Sequence, residues 1–197
     1  MNIYVNIPDV RGSATDVNHK GQVPAMAYSF SKSRSVRMQV GYTSNRESGA
    51  PSFSYFELVK PIDISSPQIY QLFATGKCLE KVIVQVCHTG RGGQVYHEFT
   101  LYNVMVADRS LGNVSDKLHT GLEYLTISYT RLDEKFIPYD GQNKIGSPII
   151  TGYDLETRCR VNQSSKSVFF IANSSANLKI ARPRLIIGPE AIHPILA

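Results

Sequence analysis

The sequence has no tryptophan, only three cysteines and few charged residues, and each shortage narrows the kind of protein it encodes. Charged residues make up 19% of the 197 residues and apolar residues 42%, which is the composition of a globular chain. Cys78, Cys87 and Cys159 are too few and too scattered for a disulfide framework, so we expect reduced, mostly buried thiols. No apolar run approaches the roughly 20 residues of a membrane helix, and the start MNIYVNIPDV lacks the basic and apolar regions of a secretory signal. We therefore expect no membrane insertion and no signal peptide.

The formal net charge of +5 is concentrated near the C-terminus. Residues 141–197 hold seven basic and three acidic residues, whereas residues 1–140 hold fourteen and thirteen. A nucleic-acid surface combines basic residues with stacking aromatic rings. Phe169 and Phe170 lie inside an apolar run instead, so we predict no nucleic-acid partner.

Strand patterns dominate the sequence. Alternating and β-branched segments predict strands at 3–7, 22–35, 53–60, 81–88, 94–108, 124–132, 168–172 and 178–187. GYTSNRESGAP, residues 41–51, has the composition of a loop. The sequence TGRGGQ between the fourth and fifth strands lacks the ending of a phosphate-binding loop and leads into a strand, which indicates a hairpin turn with positive φ. Pro24 in the second strand indicates a bulge there.

One helix is predicted at about residues 65–76, within DISSPQIYQLFATGK. Ser65 or Ser66 is placed as the N-cap, Pro67 lies in the first turn and Gly76 ends the helix. Its apolar face is expected to consist of Ile69, Leu72 and Phe73. A single amphipathic helix among many strands predicts a β-barrel or sandwich with the helix laid against it.

The strand at 94–106 is predicted to be apolar on both faces. One face is expected to carry Val95, Phe99, Leu101 and Met105, and the other Tyr96, Tyr102, Val104 and Val106. A free antiparallel sheet usually keeps one face polar. The pattern therefore indicates that a helix, an extension or a neighbouring subunit covers this strand.

No arrangement of residues indicates catalysis, a cofactor or a metal. Cys87 and His88 are adjacent on a strand and point to opposite faces, and no set of ligands has metal-site spacing. Asp16 and His19 lack a serine elbow or an activated cysteine as partner. Asp and Asn in such a loop more often hydrogen-bond their own backbone. The sequence is not that of an enzyme.

Serine recurs at every second position of the second predicted strand. One face carries Ser29, Ser31, Ser33 and Ser35, and the opposite face carries Tyr28, Phe30, Lys32 and Arg34. Small hydroxyl side chains pack poorly in a core. They suit a water-facing surface that binds passing molecules only weakly. An ordinary solvated strand face would have the same pattern.

Several segments together resemble one protein family. DVRGSATDVNHKGQVPAMAYSFS resembles the N-terminal signature of Hcp proteins, the tube subunits of bacterial type VI secretion systems. The signature positions are matched by Asp9, Gly12, Asp16, His19 and Tyr28-Ser29-Phe30. DISSPQIYQLFATGK is similar to the family's helix and YLTISYTRLDEKFIPYD to its closing strand, in the same order over residues 3–139.

The resemblance implies a β-barrel of antiparallel strands with one flanking helix, related to phage tail tube proteins. It also implies a homo-hexameric ring that stacks into a tube, which a contractile sheath drives out of the cell behind a tip spike. Effector proteins would travel in the lumen, with Ser29, Ser31 and Ser33 as contact candidates. Asn45, Arg46, Glu47 and Ser48 would belong to a ring-stacking loop. The protein would be cytoplasmic before firing and then secreted without a signal peptide.

Residues 140–197 are longer and more basic than the usual end of the family's chains. We expect a tube domain at 1–139 and a C-terminal extension at 140–197 that adds strands to the same domain. Two alternatives remain open at this point. The chain could be a tail tube protein of a phage-like particle, or an Hcp scaffold with an effector activity in the extension.

Overall fold

The structure is a computed structural model that describes residues 1–36, 48–89, 93–112, 121–140 and 145–161, with the backbone but not the side chain of Ser48. These ranges form antiparallel strands and one helix, α1 (Ser66–Thr75), so the predicted mainly β class is confirmed. The strands are β1 (Asn2–Asn6), β2 (Val23–Ala25), β3 (Ala27–Ser29), β4 (Lys32–Val36), β5 (Ser48–Phe53), β6 (Phe56–Pro61), β7 (Leu79–Cys87), β8 (Val95–Gly112), β9 (Leu122–Ser128), β10 (Arg131–Phe136), β11 (Ile149–Asp154) and β12 (Cys159–Val161).

The longest strand, β8, joins two parts of the main sheet. Its first part pairs with β7 and β10, and its last part pairs with β9. From β8 the pairing continues through β7 and β1 to β2, through β10 and β11 to β12, and through β9 and β6 to β3. The predicted hairpin between the fourth and fifth strands is confirmed as β7–β8, and Gly93 before β8 has a φ of 70°.

The expected closed barrel is wrong for the described residues, because the strand pairing ends at β2, β3 and β12 without closing. β2 pairs with β1 and β3 pairs with β6, so the chain crosses from one ladder to the other at Met26. There the Met26 amide donates to the Val59 carbonyl at 2.8 Å. A closed barrel would have a continuous ladder of hydrogen bonds at this point. Here the chain turns at Met26 and makes a single backbone hydrogen bond to Val59.

The single strand predicted at 22–35 is wrong, because three strands occupy this segment. β2, β3 and β4 pair with β1, β6 and β5 respectively. Pro24 pairs opposite Tyr4 in β2, which has no ladder on its other side among the described residues. An edge position suits proline because its nitrogen has no hydrogen to donate. The break falls at Met26 rather than at Pro24.

Other elements also differ from the predictions. The strand predicted at 124–132 is two strands, because the chain bends at Thr130, whose amide donates to the Tyr102 carbonyl at 3.1 Å. The predicted loop at 41–51 is wrong for residues 48–51, because Ser48–Phe53 pairs with β4, and its residues 41–47 lie outside the described residues. β11 and β12 were not predicted. The strands predicted at 168–172 and 178–187 lie outside the described residues, and the division at 139/140 stays a prediction.

The predicted alternation of β8 is wrong beyond Asn103. Asn103 has a φ of 52°, and this left-handed residue shifts the alternation by one position. Leu101 and Val104 are therefore both buried, whereas Met105 is 42% exposed. The expectation that Met105 shares a face with Leu101 fails for this reason.

The predicted helix is confirmed at Ser66–Thr75, with Pro67 in its first turn. Gly76 takes the left-handed conformation at φ 61° and its amide donates to the Phe73 carbonyl, which ends the helix. Ser65 stands at the N-cap position but makes no capping hydrogen bond with its side chain. Ile69 and Leu72 are buried as expected, and Phe73 is 38% exposed.

One hydrophobic cluster unites α1 with the strands on both parts of the sheet. Its buried members include Ile3, Val5, Phe56, Leu58, Ile69, Leu72, Val84, Phe99, Leu101, Leu125 and Ile127. Full burial of such a side chain contributes roughly 1.5–3 kcal/mol. Because the strands share this cluster, they fold around one core.

Candidate functional site

The aromatic-Ser-aromatic unit turns its two rings inward and its serine outward. The Tyr28 and Phe30 ring centres lie 5.8 and 5.2 Å from that of Phe56. Both also lie 5.2 Å from the ring centre of Phe99. Because side chains alternate along an extended chain, the intervening Ser29 is exposed. The motif anchors the chain in the core and leaves a hydroxyl at the surface.

Two of the three serine candidates meet further serines that the sequence prediction missed. Ser33 pairs directly opposite Ser52 in β5, and opposed residues of an antiparallel pair point to the same face. The Ser31 amide donates to Ser54 Oγ at 2.8 Å, and the Ser54 amide donates to the Ser31 carbonyl at 3.0 Å. These four residues are exposed, and we call them the serine surface. The period-two recurrence in PSFSYF was the signal for Ser52 and Ser54.

Ser29 belongs to a different strand pair. It lies in β3 opposite Glu57 of β6, whereas Ser33 lies in the β4–β5 pair. The structure therefore does not place Ser29, Ser31 and Ser33 on one continuous strand. All three remain exposed to solvent.

A ring stack and an ion pair are among the contacts that attach the β4–β5 pair to the rest of the domain. The Phe53 ring stacks on that of Tyr153 in β11 with centres 5.1 Å apart. Lys32 Nζ lies 2.6 Å from Glu134 Oε2 in β10, and His97 Nε2 lies 2.9 Å from the other oxygen of that carboxylate. Burial alone would raise the pKa of Glu134, but Lys32 and then His97 hold it below its ordinary value. The ionised carboxylate of Glu134 thus holds Lys32, the first residue of β4, against β10.

The ring-stacking candidates fall largely outside the described residues. Asn45, Arg46 and Glu47 are not described, and Ser48 is the first residue of β5, opposite Val36. Val36 and Ser48, the described residues on either side of positions 37–47, pair with each other at one end of the β4–β5 pair.

A buried charged network fixes the start of α1 to the sheet. Lys60 Nζ lies 2.8 Å from Glu123 Oε2, 2.9 Å from Asp63 Oδ1 and 3.0 Å from Ser66 Oγ. Arg109 Nε donates to the second Glu123 oxygen. Burial alone would raise the pKa of Glu123, but hydrogen bonds from Lys60, Ser66 and Arg109 lower it. Lys60 and Glu123 are fully buried and Arg109 is 14% exposed, so this paired network positions α1 against β6, β8 and β9.

The N-terminal signature residues shape the loop between β1 and β2. A Cβ on Gly12 would lie 2.1 Å from the Gln22 carbonyl oxygen, so only glycine fits there. The Asn18 amide donates to Asp16 Oδ1 at 2.9 Å, which is the local backbone bond expected of an acidic residue in a loop. Ser13 donates its amide and hydroxyl to Asp63 Oδ2 at 3.1 and 2.8 Å, which ties the loop to the start of α1.

His19 and Cys87 form a buried contact that packs the β1–β2 loop against β7. His19 is 4% exposed, its ring stacks on Tyr4 at 4.4 Å, and its Nε2 lies 3.4 Å from Cys87 Sγ. Burial, with a smaller contribution from Asp16, raises the pKa of the Cys87 thiol to about 11. A protonated, buried thiol is a poor nucleophile. The expectation of mostly buried cysteines is wrong, because Cys78 and Cys159 are exposed.

No group of three or more potential metal ligands occurs within the described ranges. Within the same ranges, no helix has the length and apolar character to cross a membrane.

An exposed apolar group lies where α1 packs on β8. We call Tyr70, Phe73 and Met105 the helix-side patch; they are 55%, 38% and 42% exposed. The Arg109 guanidinium lies 5.4 Å from the centre of the Tyr70 ring. A Cβ on Gly76, at the end of the helix, would lie 3.9 Å from Met105 Cε. Exposed apolar groups of this kind often mark protein contacts.

The geometry defines an antiparallel β domain with one helix on its sheet and a separate, serine-bearing strand pair. A family model described as "Type VI secretion system effector, Hcp" matches residues 4–136. The chain therefore belongs to the Hcp family, whose members are type VI secretion tube proteins. No match was found among curated proteins.

Solved structures support the fold. A structure titled "Structure of a type six secretion system protein" has a TM-score of 0.76 at 18% identity and covers 81% of this chain and 99% of its own. Hcp1 from Salmonella typhimurium has a TM-score of 0.66 at 19% identity and covers 81% and 98%. A type VI secretion system effector from Yersinia pestis has a TM-score of 0.57 at 17% identity and covers 77% and 98%.

Proposed function

We propose that this chain is the structural subunit of a type VI secretion inner tube. Six copies close into a ring, the rings stack into a tube, and the tube carries effector proteins in its lumen. The observation that carries this proposal is the exposed serine surface on the β4–β5 pair of a chain that belongs to the Hcp family.

The serine surface has the chemistry of a channel wall. Ser31, Ser33, Ser52 and Ser54 are exposed, small and uncharged. The hydroxyls of Ser31, Ser33 and Ser52 can donate and accept hydrogen bonds, whereas the Ser54 hydroxyl already donates to the Tyr55 carbonyl and accepts from the Ser31 amide. None of the four provides a large apolar area or a fixed charge. Such a surface makes weak contacts with many cargo proteins and binds none tightly. Ser29, on β3, is the third proposed contact besides Ser31 and Ser33.

The helix-side patch is the proposed contact between neighbouring subunits. Phe73 and Met105 expose apolar area next to the sheet, and a closed ring buries such area without leaving a free edge. Stacking between rings is assigned to the segment that contains Asn45, Arg46, Glu47 and Ser48. This assignment rests on the family resemblance and on the position of Ser48 at the tip of the β4–β5 pair.

The remaining partners follow from the family. They are a contractile sheath around the tube, a spike protein at its tip and effector proteins inside it. The protein is made in the bacterial cytoplasm and leaves the cell when the sheath contracts. No catalytic step, cofactor or nucleic acid is part of this function.

The solution mass of the purified chain tests the assembly. One chain has a mass of 21.9 kDa, so a closed six-membered ring has a mass of about 130 kDa by light scattering. Negative-stain images of the same fraction should show rings with a central hole. A stable monomer at high concentration, or a compact dimer without a hole, would contradict the proposal.

Deletion of residues 162–197 separates this function from the alternative of an effector activity in the extension. The truncated chain keeps every described strand and the helix, so we expect it to form rings. Retained rings with loss of toxicity to target cells would favour the effector alternative. Retained rings with unchanged delivery of separate effectors would favour the tube function alone.

A further inference from the structure

A groove separates the β4–β5 pair from the sheet formed by β10, β11 and β12. Its volume is about 310 Å³. It is lined by Lys32 and Arg34 of β4, Phe53 of β5, Leu132 and Glu134 of β10, Thr151, Gly152 and Tyr153 of β11, and Arg160 of β12. We call it the hairpin groove.

The strand registers explain why these side chains meet. Leu132 pairs opposite Tyr153, and Tyr153 pairs opposite Arg160, so the three side chains share one face of the sheet. On β4, Lys32 and Arg34 alternate with Ser33 and point away from it. The hairpin groove therefore lies on the face of β4 that is opposite the Ser33 hydroxyl.

Two aromatic rings line the groove, and the one acidic side chain in its described lining is neutralised by a lysine. The stacked rings of Phe53 and Tyr153 form the contact between the two walls. Among the described residues that line the groove, Glu134 is the only acidic one, and it is paired with Lys32 at 2.6 Å. It is also bonded to His97 at 2.9 Å. Its charge is therefore not available to other groups in the groove.

Two guanidinium groups remain at the walls. Arg34 and Arg160 are exposed, and within the described part of the chain neither lies within ion-pair distance of a carboxylate. By contrast, Arg109 and Arg131 each form an ion pair with a carboxylate. Guanidinium groups bind carboxylates through two parallel hydrogen bonds, and a partly enclosed site strengthens such bonds.

We propose that the hairpin groove binds an acidic peptide segment of a partner protein. Arg34 and Arg160 bind carboxylate side chains of the segment, and the Phe53–Tyr153 pair contacts the aliphatic part of the same side chains. A volume of about 310 Å³ holds a few side chains and leaves the peptide backbone at the surface. This site is separate from the serine surface, and it holds whether or not the chain forms a tube.

Peptide binding to the full-length protein tests the proposal. The probe is a fluorescein-labelled hexaglutamate peptide, and its anisotropy is titrated with wild-type protein and with the double variant Arg34→Glu/Arg160→Glu. We expect the double variant to bind at least about tenfold more weakly. Arg34→Lys/Arg160→Lys keeps both charges but loses the bidentate geometry, and we expect an intermediate loss.

The matched control is Lys20→Glu/Lys81→Glu, which changes the net charge equally at two exposed positions outside the groove. We expect this control to bind the peptide as the wild type does. Equal weakening in both double variants would mean that only net charge is sensed, and the proposal would be wrong. Binding of inorganic phosphate that depends on the two arginines, without binding of the peptide, would also overturn it. If the double glutamate variant does not fold, Arg160→Gln provides the same comparison with one exposed change.

Discussion

The ammonium group of Lys60 lies 2.8 Å from the Glu123 carboxylate, and neither side chain is exposed to solvent. Lys60 is on β6 and Glu123 is on β9, and Ser66 at the start of α1 donates to the same carboxylate oxygen. Removing one member of a buried ion pair leaves the other charge without compensation. Through Ser66, the pair ties the start of the helix to β6 and β9.

Lys60→Met should destabilise the domain by about 3 to 5 kcal/mol, because it leaves Glu123 buried with fewer partners. The double variant Lys60→Met/Glu123→Leu should lose less than the sum of the two single variants, with a coupling of about 1 to 3 kcal/mol. Urea unfolding of the four proteins gives this double-mutant cycle. Additive single effects would show that the two residues do not depend on each other.

Stability should fall in acid because of Glu123. Its pKa is lower in the folded chain than its ordinary value of 4.5. The stabilisation is therefore complete above about pH 4.5 and is lost as the pH falls through the lower, folded pKa. Urea unfolding between pH 7 and pH 3 should show this loss, and Glu123→Gln should show a smaller one. Glu80→Gln, at an exposed position, should keep the wild-type pH dependence. A domain that gains stability as the pH falls would contradict the assignment.

Asn103 should resist replacement by a β-branched residue. Its φ of 52° lies in the left-handed region, where asparagine and aspartate are tolerated far better than valine. We expect Asn103→Val to destabilise the domain by about 1 to 2 kcal/mol, and Asn103→Asp to cost less than half of that. Thermal unfolding of both variants measures the difference. Equal costs would mean that the backbone conformation is not what selects asparagine.

Two of the three thiols should react quickly in the native protein. Cys78 and Cys159 are exposed, whereas Cys87 is buried and its pKa is raised to about 11. A thiol reagent at pH 8 should therefore label two cysteines per chain, and all three after unfolding. Cys87→Ala should leave the native count at two. Rapid labelling of all three native thiols would show that the loop carrying His19 opens readily.

Met105→Asp should weaken the proposed ring while the subunit stays folded. Met105 is 42% exposed in the helix-side patch, and a charge there would be buried without a partner in a subunit contact. Light scattering should show a shift toward the 21.9 kDa monomer. Val17→Asp is the control, since Val17 is 93% exposed and is not one of the residues of the patch. If both variants keep the mass of the wild type, the patch is not the subunit contact.

Local sequence signals predicted the helix and the main hairpin well. Pro67 and Gly76 act through their own backbone preferences, so the limits of α1 follow from the residues themselves. The β7–β8 hairpin was readable for the same reason, because two alternating segments flank a glycine-rich turn.

The division of residues 22–35 into three strands could not be read from local signals. All of this segment favours extended structure, and the breaks arise because β1, β6 and β5 each pair with a different part of it. These partners lie far apart in the sequence. The open edge at β2 and β3 follows from the same breaks, which is why the expected barrel was wrong.

The candidate site was predicted in part. Ser31 and Ser33 were identified from their alternation, but Ser52 joined them only when the register of β4 and β5 was known. Lys60 and Glu123 are 63 residues apart, and no local pattern connects them. Asn103 offered a weak signal, since asparagine accepts positive φ, but alternation alone gave the wrong face for Met105.

A cryo-electron microscopy reconstruction of the assembled particle tests the central claim most directly. The account predicts a closed six-fold ring in which Ser31, Ser33 and Ser52 line the central channel and the helix-side patch lies between neighbouring subunits. A closed ring with these serines on its outer wall, or a particle without a channel, would contradict it.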